Sequence, residues 1–148
     1  MENKILLVYA DFYKDIADEL VRGAVRQLEE KNFKYDKVSV PGALEIPPAI
    51  ATISQDKSID PYIGYVALGC VIRGETSHYD IVSSESARGL MNLSIEKGLA
   101  IGNGILTVDN PEQAWARAST SKKNKGRDAV LACLSIVRLK KSIYGDSR

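Results

Sequence analysis

Residues 62–72 read YIGYVALGCVI, a run without a single charge, and Arg73, Gly74, Glu75 and Thr76 follow at once. A segment this short and this apolar reads as a strand covered on both faces, the kind found inside a parallel sheet. Parallel neighbours need long crossovers, so helices must separate the strands. The rest of the chain meets that demand. Ile5-Leu6-Leu7-Val8 is another apolar run, and residues 13–31 after it carry Ile16, Leu20, Val21, Ala24, Val25 and Leu28 at helical spacing. A weaker strand spans 35–40 and is broken by Pro41-Gly42; a helix follows from Ala43 or Leu44 to about Gln55, with Pro47-Pro48 in its first turn. A long helix covers 77–97, with Gly98 just past its end, and a strand covers 100–108. Asn110, Pro111 and Gln113 predict an N-cap, an N1 proline and a capping box. The last helix starts near Lys125 and carries Ala129, Val130, Cys133, Leu134, Ile136 and Val137. The expected fold is α/β, a three-layer α/β/α sandwich on a four-stranded parallel sheet.

Composition narrows the function. At 148 residues the chain fits one domain, 1–148. With 20 basic against 19 acidic residues its net charge is +1, which argues against nucleic acid and anionic membranes as partners. No segment approaches a membrane span, and the opening MENKILLVYADFYKD lacks a signal-peptide layout. Cys70 and Cys133 are far apart and form no CxxC pair, so they read as reduced thiols of a cytoplasmic protein.

Ligands of open α/β sheets gather at the carboxyl ends of the strands. Those ends fall at residues 10–12, 41–45, 70–76 and 103–107. The third leads a glycine-containing bend, Arg73-Gly74-Glu75-Thr76, into a helix start, where free backbone N–H groups attract phosphate or carboxylate. His78, the only histidine, sits in the first turn of that helix, and an imidazole can take and give a proton near neutrality. The plainer reading is a surface histidine beside a Thr76 or Ser77 cap. One histidine without a Cys or acidic cluster offers too few ligands for a metal. The turn Val40-Pro41-Gly42-Ala43-Leu44-Glu45 offers donors and acceptors to a polyhydroxyl ligand, or simply starts a helix with Glu45 on its dipole. Arg117 can hold a phosphate in a forked contact, whereas Lys122 and Lys123 read as a solvated loop. Phe12, in Asp11-Phe12-Tyr13, can stack on a planar ring or staple the next helix.

Taken together, VPGALEIP at 40–47, GCVIRGETSHYDIV at 69–82, NGILTVDNPEQAWARA at 103–118 and NKG at 124–126 resemble the 6,7-dimethyl-8-ribityllumazine synthase family of riboflavin biosynthesis. The resemblance runs from Lys4 to about Leu139 and implies a flavodoxin-like fold. It implies condensation of 5-amino-6-(D-ribitylamino)uracil with 3,4-dihydroxy-2-butanone 4-phosphate, releasing phosphate and water, with no metal or organic cofactor. By the same resemblance the ring stacks on Phe12. The ribityl chain and pyrimidine edge meet Ala43, Leu44, Glu45, Cys70, Val71 and Ile72. The phosphate meets Glu75, Thr76 and Arg117, and His78 shuttles protons. Family sites lie between neighbouring subunits of a homopentamer, and some members form decamers or a hollow 60-subunit shell.

Three departures from the family pattern stand out. Asn103 lies where many members carry a phenylalanine against the ring from the adjacent subunit. Ser121 replaces a frequent lysine, which leaves more of the phosphate charge to Arg117 and Lys125. The chain begins almost at its first strand, where many members have an extension that adds a strand to a neighbour; this favours the pentamer over the shell. Two rivals remain at this level. A non-catalytic flavin- or lumazine-binding homologue would need no proton shuttle, and a flavodoxin-like electron-transfer module would be a monomer with bound flavin mononucleotide.

Overall fold

A computed structural model describes residues 3–145. Four strands, β1 (Lys4–Ala10), β2 (Lys34–Val40), β3 (Gly64–Ile72) and β4 (Ile101–Val108), form one all-parallel sheet in the order β2-β1-β3-β4. Five helices connect and follow them: α1 (Lys14–Glu30), α2 (Ile46–Ser54), α3 (His78–Glu96), α4 (Pro111–Ala118) and α5 (Lys125–Tyr144).

Alternation along the central strands sorts the layers. Ile5 and Leu7 of β1 with Val66 and Leu68 of β3 face α1, α4 and α5, meeting Leu20, Ala114 and Val130. Leu6, Val8, Tyr65 and Ala67 face the other way, onto Ile46 and Ile50 of α2 and Leu90 of α3. This is the three-layer α/β/α, flavodoxin-like sandwich. Both faces of β1 and β3 are closed, which is why their sequences show unbroken apolar runs. The outer strand β2 alternates exposed and half-buried positions instead.

One expectation needs correction. The helix predicted from Ala43 or Leu44 begins as a separate 3-10 turn, Ala43–Glu45, and the α-helix starts at Ile46. Pro47 and Pro48 have no N–H to return to the carbonyls of residues 43 and 44, so α-type pairing cannot begin earlier. Along α5, Val130, Cys133, Leu134 and Val137 define the inward stripe, and Ile136 lies beside it, 39% exposed.

The predicted punctuation is largely in place. Asn110 Oδ1 accepts the Gln113 N–H at 2.9 Å and caps α4. Gln113 reaches back one residue further than a capping box requires and accepts the Asp109 N–H at 2.8 Å. Gly98 follows the α3 C-cap at φ +63°, a conformation that favours glycine. No helix among the described residues is long and apolar enough to cross a membrane.

Candidate active site

The carboxyl ends of β1 and β3, the 3-10 turn after β2 and the first turn of α3 enclose a cavity of about 410 Å³. Its position follows from topology. Strands β1 and β3 are neighbours whose chains leave toward opposite layers, so a crevice opens between their ends. Phe12 stands at the end of β1, Ala43, Leu44 and Glu45 form the turn, and Cys70, Val71 and Ile72 end β3. Gly74, Thr76 and His78 close the wall. The lone imidazole and the bend before it therefore face one space.

The bend leaves its backbone donors open to whatever approaches it. Among the described residues its backbone N–H groups at 74–77 have no hydrogen-bond partner. Thr76 Oγ1 accepts the His78 N–H at 3.3 Å, and Ser77 occupies the N-cap position without a side-chain cap. A Cβ at Gly74 would meet nothing within 4 Å, so the open side of the bend is free for an approaching group. Four donors at the positive end of a 19-residue helix favour an anion.

Exposure speaks against Phe12 as a staple of the next helix. Phe12 is 74% exposed and touches Tyr13 edge-on, ring centroids 4.9 Å apart. A staple would be buried; Tyr13 packs on the core while Phe12 presents its ring to the cavity. The Cys70 thiol in the same wall is pushed up to about 11 by burial, so it stays protonated and apolar near neutrality.

The structure separates the remaining candidates. Glu75 is exposed on the bend but does not line the cavity. Asn103 and Arg117 belong to a second cavity of about 440 Å³ along β4, α4 and α5. Strand β4 runs to Val108, so Asn103 is its third residue and not at its carboxyl end as expected. Its Oδ1 accepts the Ile105 N–H at 2.9 Å and covers part of the strand's free edge. Arg117 Nη1 donates to the Gln113 carbonyl at 3.2 Å. Lys125 Nζ lies 3.5 Å from Asp128 Oδ2, and both residues line this second cavity. Ser121 makes a hydroxyl pair with Ser119 at 3.0 Å.

Sequence reasoning overlooked Tyr79 and Val82, which complete the first cavity from α3. Val82 lies one helical turn beyond His78, so a helix start at residue 78 already carries that signal. Among the described residues no group of three His, Cys, Asp or Glu is disposed to hold a metal ion.

The sequence matches the family described as 6,7-dimethyl-8-ribityllumazine synthase over residues 2–141. A Bartonella bacilliformis protein of that name is 56% identical over 144 residues, 97% of this chain and 93% of its own length. One from Agrobacterium fabrum is 54% identical, covering 95% of this chain and 97% of that protein. Rhodopseudomonas palustris 6,7-dimethyl-8-ribityllumazine synthase 1 is 49% identical, covering 95% and 87%.

Proposed function

The chain belongs to the 6,7-dimethyl-8-ribityllumazine synthase family, and from that premise we propose how its two cavities divide the work of one condensation. The reaction joins 5-amino-6-(D-ribitylamino)uracil to 3,4-dihydroxy-2-butanone 4-phosphate. An amine attacks the ketone and water leaves; phosphate is eliminated with the carbinol C–H proton to leave an enol, which tautomerises to a new ketone, and the ribitylamino nitrogen closes the ring on that ketone with loss of a second water.

The observation that carries the reading is the shared space of Phe12, Glu45, Thr76 and His78. Phe12 stacks on the pyrimidine. The turn of Ala43, Leu44 and Glu45 and the end of β3 at Cys70, Val71 and Ile72 take the ribityl chain and ring edge. The N–H groups of the bend, at Glu75 and Thr76, receive the phosphate, whose elimination benefits from their fixed dipoles. His78 moves protons between nitrogen, carbonyl oxygen and water in successive steps. Holding two substrates in register is worth up to about 7–11 kcal/mol, more than one proton carrier supplies.

Arg117, Lys125 and Asn103 lie in the second cavity. They serve the first only if supplied by a neighbouring copy, which supports a homopentameric ring with sites between subunits. Large apolar side chains left exposed on α3 and α5, among them Ile95 and Ile143, support the same assembly. Asn103 then gives the ring a polar wall. The free thiols Cys70 and Cys133 support a cytoplasmic enzyme.

Incubation with both substrates, followed by the absorbance of the lumazine, tests the activity. Single-turnover kinetics on His78→Ala test the role of the imidazole. The variant is expected to be slower by about 10²–10⁴-fold while retaining the contribution of orientation. An unchanged rate would remove His78 from the mechanism.

A further inference from the structure

Arg73 opens the anion-binding bend yet does not line the cavity beside it. A cation in that place would be expected to meet the anion. Its guanidinium is engaged elsewhere, on three groups. Nε donates to Asp109 Oδ1 at 3.1 Å, Nη1 stands 3.7 Å from Asp80 Oδ1, and Cζ lies 4.2 Å from the centre of the Tyr79 ring. The backbone N–H of Arg73 donates to the Val108 carbonyl at 2.9 Å.

These contacts tie the end of β3 to the end of β4 and to the first turn of α3. The anchor is itself held, since the Asp109 N–H donates to Gln113 Oε1 at 2.8 Å and Asn110 caps the helix behind it. Tyr79, pinned under the guanidinium, is a wall of the cavity, and Asp80 lies two residues past His78. One side chain therefore sets where the bend stands relative to the imidazole.

We propose that Arg73 is a positioning residue for the phosphate-bearing substrate: clamped by Asp109, Asp80 and Tyr79, it fixes the bend from outside the cavity and does not itself bind the phosphate. The inference rests on the reading of the cavity given above. Each contact is solvent-exposed and adds little to folding stability. The effect falls instead on the geometry of the bend, whose N–H groups act only when aimed.

Arg73→Lys separates clamping from charge. A lysine keeps the cation but loses the planar fork and the stacked face. Asp109→Asn removes the charge of the anchor while leaving Arg73 free to swing toward an anion. The measurement is steady-state kinetics with each substrate varied in turn, on wild type, Arg73→Gln, Arg73→Lys, Asp109→Asn and the Arg73→Gln/Asp109→Asn double variant. The expected result is a KM for the four-carbon phosphate raised about three- to tenfold in every variant, with the KM for the ribitylaminouracil little changed. The double variant should be no worse than Arg73→Gln alone, because the pair acts as a unit.

Arg73→Lys matching wild type, or Asp109→Asn leaving the phosphate KM unchanged or lowering it while Arg73→Gln raises it, would mean a direct phosphate contact and overturn the proposal. A parallel rise in both KM values would overturn it too, as general loosening. An active wild type with indifferent variants rejects the positioning role alone, whereas an inactive wild type rejects the reading of the cavity and this inference with it.

Discussion

At the scale of the residue, the same chemical type plays opposite parts one position apart. Phe12 and Tyr13 are adjacent aromatics, yet Tyr13 packs on the core and Phe12 presents its ring outward. Sequence left that choice open because both a stack and a staple use an aromatic at a strand end. Exposure removes the staple for Phe12. Asn103 went the other way: its strand was legible, but its place within the strand was not. The carboxyl-end rule points to the residue 108 end of this strand, and residues 103–107 were placed there although they form its middle. Cys70 gives a test at this scale. With its thiol pushed up to about 11, the reactive thiolate at pH 8 is about one molecule in a thousand. Iodoacetamide labelling followed by mass spectrometry should find Cys70 slow at pH 8 and steeply faster toward pH 11. Cys133, pushed up to about 12 and fully buried, should stay unlabelled until the fold opens. Fast labelling of Cys70 at neutral pH would contradict the apolar wall drawn for the cavity.

At the scale of the element, most helix starts were legible because their chemistry is local, α2 with its prolines being the exception, while long-range ties were invisible. The NKG segment shows both. Asn124, at φ +49°, caps α5 by accepting the Arg127 N–H, a role its type announces. Gly126 is there for a reason no local pattern reveals: a Cβ would run into the Leu20 carbonyl oxygen and the Ala24 nitrogen of α1. Gly126→Ala should therefore destabilise, by about 1–3 kcal/mol, despite the better helix propensity of alanine. Thermal unfolding followed by circular dichroism measures it, and an unchanged or higher midpoint would deny the close approach of the two helices. The loop before α5 hangs on a second tie. Glu19 accepts the Thr120 N–H at 2.8 Å and both arms of Arg22 at 2.9 Å. Arg22 first, then Thr120, hold the Glu19 carboxyl down to about 2 against the opposing effect of burial. A carboxyl depressed in the folded state contributes fully above its ordinary value near 4.5 and loses that contribution as the pH falls toward about 2. Glu19→Gln should cost about 1–2 kcal/mol at pH 7, with the gap to wild type closing between pH 4.5 and 2. Denaturant titrations across that window check it, and a gap independent of pH would show that the carboxylate charge is not what holds the loop.

At the scale of the whole molecule, the pattern of strands and helices was legible because βα repetition leaves few arrangements. That Arg117 opens into a different cavity from His78 was not legible in the residues themselves, because sheet order sets it; only the family resemblance implied sites between subunits. Strand β4 lies at one edge, and the groups beside it open away from the crevice between β1 and β3. In a ring, one copy would present its β4 edge to the cavity of the next, a head-to-tail contact that closes by rotation. This predicts recovery from two damaged parents. His78→Ala keeps an intact second cavity, and Arg117→Ala keeps an intact first one. Co-expressed in equal amounts and assembled at random, they give about one site in four with both halves native, since each half is intact with probability of about one half. Such mixtures should show about a quarter of the wild-type activity above the residual rates of the parents. If His78 and Arg117 of one copy instead served the same site, every site in the mixture would carry one lesion and no activity would be regained. Light scattering on the same mixtures gives the number of copies in the ring, and a monomeric mass would remove the shared site on its own.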